Sequence, residues 1–196
     1  SNQPLRLFPL YRRLLAARGR HDADPVDLYF PDLSGRPPSR DTIPVGRVPE
    51  GQDMQFREQR GRFQRGLLKW IKGDAGGAED MRAAVEATEL VQAAASQRVF
   101  WWVALAFFDA LVANALREGV DAKRLCYRID QQFRRLVEGS QNVAERLLRE
   151  TLYQVAHAQP ATPHLRAVQE AYQLEHTLPK DDGAQPLAVE SAALKP

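Results

Sequence analysis

An unbroken run of apolar residues, VFWWVALAFF at 99–108, constrains the fold of this chain more than any other feature. A helix through this run is apolar on every face, so it has to be buried on most sides. A membrane-spanning helix needs about 20 mostly apolar residues, whereas Asp109 and Asn114 interrupt this stretch soon after the run. We therefore predict the central helix of a soluble protein, with no membrane span.

Helical periodicity extends over most of the chain after Met54. Apolar residues recur at spacings of three and four, which places them on one face of each helix. No segment shows the alternating pattern of a strand. Short loops make consecutive helices antiparallel neighbours. We expect an all-α fold, an antiparallel bundle of five to six helices, at about 54–72, 78–95, 97–118, 121–138, 141–158 and 163–176.

Most of the predicted helices carry an apolar stripe that is expected to face the core. The stripe residues are Phe56, Phe63, Leu67, Trp70 and Ile71; Met81, Val85, Thr88 and Val91 or Gln92; Leu125, Ile129, Phe133 and Leu136; Ala144, Leu147 or Leu148, Thr151 or Leu152, and Val155; and Leu165, Val168 and Tyr172. Gly73 and the Gly76-Gly77 pair are expected to end the first helix, and Gly119 the third.

Polar residues indicate where three of the helices begin. Asp121 can cap the fourth helix. Thr162 followed by Pro163 is a strong start signal for the sixth. For the fifth helix, Ser140 is one candidate cap, and Asn142 with Glu145 three residues later is another.

The segments that flank the bundle have a different character. Residues 5–18 have apolar residues at helical spacing and predict a short helix. Residues 19–53 hold six prolines, which excludes long helices. Their apolar residues, Tyr29 among them, favour an arm that packs on the bundle. We therefore divide the chain into an N-terminal helix and Pro-rich arm at 1–53, a helical bundle at 54–177, and a linker or disordered tail at 178–196.

Composition indicates a globular protein. Of the 196 residues, 44% are hydrophobic and 27% are charged, and the formal net charge is only +2. The chain is therefore not a polycation built for nucleic acid. The single cysteine, Cys126, excludes an internal disulfide and a thiolate zinc site. A lone cysteine fits a reducing compartment, and no segment resembles a signal peptide, so we expect a cytoplasmic protein.

No catalytic motif is present in the sequence. The four histidines, His21, His157, His164 and His176, do not pair at the spacing of helical metal ligands. Cys126 adjoins a packing stripe and is expected to be a buried hydrophobe. There is no serine nucleophile elbow and no phosphate-binding glycine loop. We expect a non-enzymatic domain with no catalytic residue, no cofactor and no metal.

Asp109 is the one acidic residue inside the apolar helix. A buried carboxylate is costly unless it is paired or hydrogen-bonded. Either an arginine from a neighbouring helix or from the arm pairs with it, or it helps to form a functional pocket. The first interpretation is favoured, because no other convergent residues surround Asp109 in the sequence.

Basic residues form a stripe along the first bundle helix. The candidate interaction residues Arg62, Arg65, Lys69 and Lys72 are spaced by three, four and three, so they share one face. Either this face is solvated and balanced by acids such as Glu58, or it binds an acidic protein or nucleic acid. Aromatic residues among the charges would favour nucleic acid, but here they fall on the other face. The fourth helix is also basic, with Lys123, Arg124, Arg128, Arg134 and Arg135.

Three stretches resemble a known family. RGRFQRGLLKWIKGD (60–74), QRVFWWVALAFFDAL (97–111) and LFPLYRRLLAARGRHDADPVDLYF (7–30) resemble the N-terminal domain of large chemosensory hybrid histidine kinases. These kinases are the ChpA/PilL type of the type IV pilus twitching-motility system, and the stand-alone pilus regulator FimL is similar. The resemblance spans roughly residues 5–160 and rests on overall pattern.

The resemblance implies a bundle related to histidine-phosphotransfer domains. In those domains an exposed histidine is followed by lysine and glycine at the third and fourth positions, and none of the four histidines here has that context. The implied function is a non-catalytic interaction domain that docks response regulators, pilus-associated proteins or other domains of its kinase. Two alternatives remain open: a nucleic-acid-binding bundle that uses the basic stripe, and an active phosphotransfer domain with an atypical histidine.

Overall fold

The computed structural model describes residues 24–39, 52–92, 94–117 and 121–178. Within these ranges the chain has six α-helices and no strand, so the all-α prediction is confirmed. The α-helices are α1 (Gln52–Ile71), α2 (Gly76–Val91), α3 (Ala95–Val112), α4 (Ala122–Val137), α5 (Glu145–His157) and α6 (Pro163–Ala171). Short 3-10 helices cover Pro25–Leu28 and Leu174–His176. The helix predicted at 5–18 and the tail from 179 onward lie outside the described residues.

The apolar run lies in α3, which packs against α2, α5 and α6. All ten side chains from Val99 to Phe108 are buried. Among the described residues, α3 is the one helix long and apolar enough to cross a membrane, and 72% of it is buried inside the protein. Such burial is typical of a core helix in a bundle.

Aromatic side chains join α1, α3 and α4 in the core. The ring of Phe63 in α1 lies 5.5 Å from that of Phe108 in α3 and 5.0 Å from that of Phe133 in α4. The ring of Trp101 lies 4.6 Å from that of Phe133. Nearly all predicted stripe residues are buried or half-buried, which confirms the helical period. The two exceptions are Ile71, which is 37% exposed, and the exposed Ala144.

The α1–α2 pair crosses unusually closely, at Gly66 and Gly77. A methyl group added at Gly77 would lie 2.3 Å from the carbonyl oxygen of Gly66. The prediction that Gly76-Gly77 ends the first helix is therefore wrong, because both glycines lie in the first turn of α2. Gly73 alone makes the turn, with a φ of 89° that other residues rarely adopt.

Two predicted helix starts are confirmed. The Asp121 carboxylate accepts a hydrogen bond from the backbone N–H of Arg124 at 2.9 Å. The Thr162 hydroxyl accepts one from the N–H of Leu165 at 3.1 Å, and Pro163 follows it at the first helical position. Both caps satisfy N–H groups that have no partner within the helix.

The predicted cap of α5 is wrong, and α5 begins at Glu145 instead of about 141. The N-cap residue is Ala144, which offers no side-chain hydrogen bond. The Ser140 hydroxyl accepts from the N–H of Asn142 at 3.3 Å and forms a local turn. The carbonyl of Asn142 accepts from the side chain of Gln132 at 3.0 Å, which ties this loop to α4.

Three helices end earlier than predicted. In α3, Asn114 adopts a left-handed φ of 52°, so the helix stops at Val112 and not near Gly119. In α6, Gln173 does the same with a φ of 50°, and a 3-10 helix follows. The α2 helix ends at Val91 because Gln92 is extended.

The described part of the arm, residues 24–39, packs on the bundle as predicted. Val26 and Tyr29 are almost fully buried. The hydroxyl groups of Tyr29 and Thr177 lie 3.0 Å apart, and burial raises the pKa of Tyr29. The guanidinium of Arg98 donates to the carbonyl of Pro38 at 3.2 Å. The arm is thereby held by both α3 and the end of the described chain.

Candidate interaction surface

All four predicted interaction residues are exposed; Arg62, Arg65 and Lys69 lie on α1, and Lys72 follows its last residue. The ammonium of Lys69 donates to the carboxylate of Asp80 in α2 at 2.9 Å, and this hydrogen bond raises the pKa of Lys69. Within the described part of the chain, no ion pair engages Arg62, Arg65 or Lys72. The stripe therefore keeps three cations that are open to a partner.

Apolar side chains accompany these cations on the solvent side of α1. Met54 is 77% exposed and Leu68 is 54% exposed. Ile71 was predicted to face the core, yet it is 37% exposed. It lies four positions after the buried Leu67 and three after the exposed Leu68, which places it at the edge of the apolar stripe. We name the line formed by Met54, Arg57, Gly61, Gln64, Leu68 and Ile71 the α1 seam.

The charges along α1 are unevenly distributed. Asp53 and Glu58 lie in its first half, whereas residues 59–73 contain no acidic residue. Glu58 is exposed and can balance only the nearby part of the helix. The charged residues that the second half of α1 itself contributes beside Leu68 and Ile71 are therefore all basic, although Asp80 of α2 pairs with Lys69.

The basic residues of α4 are used differently. Arg124 and Arg128 both pair with the carboxylate of Glu150 in α5, which is 1% exposed. Arg124 also binds Asp24 of the arm at 3.1 Å. Arg134 pairs with Glu138 one turn later. Two of the five basic residues, Arg124 and Arg128, therefore hold α4 to α5, and Arg124 also holds the arm.

Sequence reasoning missed this network around Glu150. Two of its members, Asp24 and Arg146, are 3.4 Å apart in the fold but more than 100 positions apart in the sequence. Arg146 also binds Asp27 at 2.6 Å. The only sequence signal was the excess of arginine in α4, which did not identify the partners.

Asp109 is held by an arginine, as the favoured interpretation predicted. The guanidinium of Arg82 in α2 donates to one carboxylate oxygen of Asp109. The hydroxyl of Thr162 donates to the other oxygen at 2.8 Å. Asp109 is 3% exposed and has a partner on each oxygen. It joins α2, α3 and the start of α6, and this role is structural.

Two of the three described histidines are engaged by backbone. His157 lies 2.7 Å from the carbonyl of Tyr153, and burial lowers its pKa. His164 lies 2.8 Å from the carbonyl of Trp102 and packs edge-on against its ring. His176 is exposed beside Glu175 on the last 3-10 helix. His21 lies outside the described residues.

The remaining reactive group is Cys126, which is fully buried as predicted. Burial raises the pKa of its thiol, because the thiolate is poorly solvated there. Across the described ranges, no cluster of three or more candidate ligands could hold a metal ion. The charged and aliphatic residues of α1 are therefore among the exposed groups that could meet a partner, and Leu90 and Tyr127 are exposed on α2 and α4.

Comparison with known proteins places the chain in a family. The model of the FimL scaffold protein second domain matches residues 49–185. No curated protein and no solved structure matches significantly. The family match supports the similarity to FimL, whereas the resemblance to ChpA/PilL-type kinases stays a prediction. The matched region covers well over half of the 196 residues, so the chain belongs to the family of the FimL scaffold protein second domain.

Proposed function

We propose that this chain is a non-catalytic docking domain in the two-component chemosensory system that controls type IV pilus motility. Its partners would be response regulators, pilus-associated proteins or a chemosensory histidine kinase, and its site of action the cytoplasm. The observation that carries the proposal is the match to a scaffold family over residues 49–185. A scaffold needs a stable body and an open surface, and it needs no reactive group.

The arrangement of side chains supports this division of roles. Asp109, Cys126 and Glu150 are buried and serve packing or ion pairing. By contrast, α1 exposes both cations and aliphatic side chains, among them Arg65 and Leu68, to solvent. Exposed apolar residues beside unpaired charges are typical of protein-binding surfaces. We therefore assign docking to α1, at Arg62, Arg65, Lys69 and Lys72.

Binding measurements on the full chain test the proposal. Purified receiver domains of the pilus chemosensory system, with and without an acyl-phosphate mimic, and pilus-associated proteins are titrated by calorimetry. Changing Arg62, Arg65, Lys69 and Lys72 to glutamine should weaken binding about tenfold or more, since charge pairs at an interface guide association. The matched control changes Lys123 and Arg135 of α4, which are also exposed. Failure of every pilus protein to bind contradicts the scaffold role, and equal binding by both variants contradicts the assignment to α1.

Two other outcomes would replace the proposal. Nucleic-acid binding would show a steep loss of affinity with salt, because phosphate contacts release counterions. On α1 the described aromatic residues face inward; α4 exposes Tyr127 at 49%. Transfer of label from a phosphorylated receiver to a histidine of this chain would demonstrate an active phosphotransfer domain.

A further inference from the structure

We infer that the α1 seam binds an acidic amphipathic helix of a partner protein. This inference rests on the docking role proposed above and names the kind of segment that the domain recognises. It is carried by the spacing of the seam residues, by their exposure and by the charges that flank them.

The seam has the geometry of a helix-packing surface. Its six positions, 54, 57, 61, 64, 68 and 71, alternate in steps of three and four, which is the spacing of the contact positions in a coiled coil. The opposite side of α1 is buried through Phe56, Phe63 and Leu67. The seam therefore runs from Met54 to Ile71, almost the full length of the 20-residue α1, over about 27 Å.

Aliphatic side chains lie near both ends of the seam. Leu68 and Ile71 are one turn apart, and Met54 is 77% exposed at the other end. Between them, Gly61 has no side chain. A methyl group added there would meet only the guanidinium of Arg65, at 3.2 Å. A partner helix can therefore approach the α1 backbone closely at its middle, since the side chains at the contact set the distance between helix axes.

Charge selects the chemistry of the partner. Arg57, Arg65 and Lys72 lie within or beside the seam, and the second half of α1 has no acidic residue. A partner helix with glutamate or aspartate beside its apolar stripe would pair with these cations, as the flanking positions of coiled coils do.

A second copy of this chain fits the seam poorly. Two parallel seams would bring Arg57, a contact position, against Arg57 of the partner copy, and like charges oppose pairing. Two antiparallel seams would place Arg57 opposite Leu68 and cover its charge with an apolar side chain. The occupant that the charges favour is therefore a different, acidic segment.

Two designed peptides test the inference with the full chain. Each has 20 residues, the length of α1, with leucines at the contact positions. One carries glutamates at the flanking positions and the other carries lysines. Fluorescence anisotropy should show the acidic peptide binding about tenfold tighter or more, because attractive flanking charges replace repulsive ones.

Variants locate the binding site of the peptide. Leu68→Ser combined with Ile71→Ser should weaken binding of the acidic peptide about tenfold, because the largest apolar contact of the seam is removed. Leu90→Ser in α2 is the matched control, since Leu90 is 43% exposed, and it should bind as the wild type does. Circular dichroism verifies that all three proteins are folded. Equal binding of the acidic peptide by the seam variant and the control overturns the inference.

Charge reversal gives a second readout. Arg65→Glu with Lys72→Glu should reverse the preference, so that the lysine peptide binds more tightly. No reversal, or a wild-type dimer in sedimentation that Leu68→Ser abolishes, overturns the inference. Pilus proteins that bind the wild type and the seam variant equally would leave the scaffold role intact and refute the seam. If the acidic peptide binds but no pilus protein does, the seam is supported as a binding site and the proposed role in pilus signalling is refuted.

Discussion

The close crossing of α1 and α2 is tested by the substitution Gly77→Ala. The added methyl group would lie 2.3 Å from the carbonyl oxygen of Gly66 and 2.4 Å from the backbone nitrogen of Trp70. Ordinary contacts of a Cβ atom begin at 3.4 Å, so the two helices have to separate by about 1 Å. Backbone atoms cannot rotate out of the way as a flexible side chain can.

The expected cost follows from two opposing effects. Overpacking of a well-packed contact costs about 1–3 kcal/mol, and the backbone obstacles place this case at the upper end. In the opposite direction, replacing glycine by alanine in a helix stabilises the folded state by up to about 1 kcal/mol. We expect the free energy of unfolding to fall by about 2 kcal/mol, which lowers the Tm of a protein of this size by about 4–8 °C.

Urea denaturation followed by far-ultraviolet circular dichroism measures the change. Gly61→Ala is the matched control, because its methyl group meets only the flexible side chain of Arg65. It should raise the free energy of unfolding by about 0.5–1 kcal/mol. If Gly77→Ala and Gly61→Ala unfold at the same urea concentration, the reasoning about the crossing is refuted.

Three further predictions concern buried groups. Arg82→Ala should lower the free energy of unfolding by about 2 kcal/mol, because it leaves the buried Asp109 without a cation, and the partial exposure of Arg82 moderates the loss. Arg62→Ala, which removes an exposed arginine, is the control. If both variants have the same free energy of unfolding in urea, this prediction is contradicted. Burial lowers the pKa of His157 below its ordinary 6.5, so the unfolded chain binds the proton more readily and stability falls as the pH drops below about 6.5. In His157→Phe, the free energy of unfolding measured by urea denaturation should decline less steeply from about pH 7 to about pH 5 than in the wild type. An unchanged slope would count against the burial argument. Cys126, whose thiol pKa is raised by burial, should react with a maleimide only at the rate of unfolding, and rapid labelling of the native protein would show that it is accessible.

Features that depend on neighbouring residues could be predicted from the sequence. The caps at Asp121 and Thr162 were correct because the side chain and the N–H groups that it binds lie within three residues. The helical periods were correct because burial repeats with every turn. The helix ends at Asn114 and Gln173 were not predicted. Both residues adopt a left-handed conformation, which at helix ends is usually adopted by glycine.

Features that depend on distant residues could not be predicted. Ile71 lies at the edge of the apolar stripe, and whether a neighbouring helix covers it depends on the packing of the whole bundle. Gly77 looks like a breaker in the sequence, yet it serves as a contact point for another helix. The candidate surface followed the same pattern. The cations of α1 were evident from spacing, whereas the exposure of Leu68 and Ile71 required the fold.

The docking of the arm has a consequence for the order of folding. Asp24 and Tyr29 leave the ribosome early, but their partners Arg124 and Thr177 follow 100 and 148 residues later. Closing such long loops is entropically slow compared with pairing adjacent helices. The α1–α2 and α2–α3 hairpins can therefore form during synthesis, while the apolar side chains of the arm are still exposed to solvent. We therefore expect residues 24–39 to complete their docking only after α4 and the segment that carries Thr177 have been made.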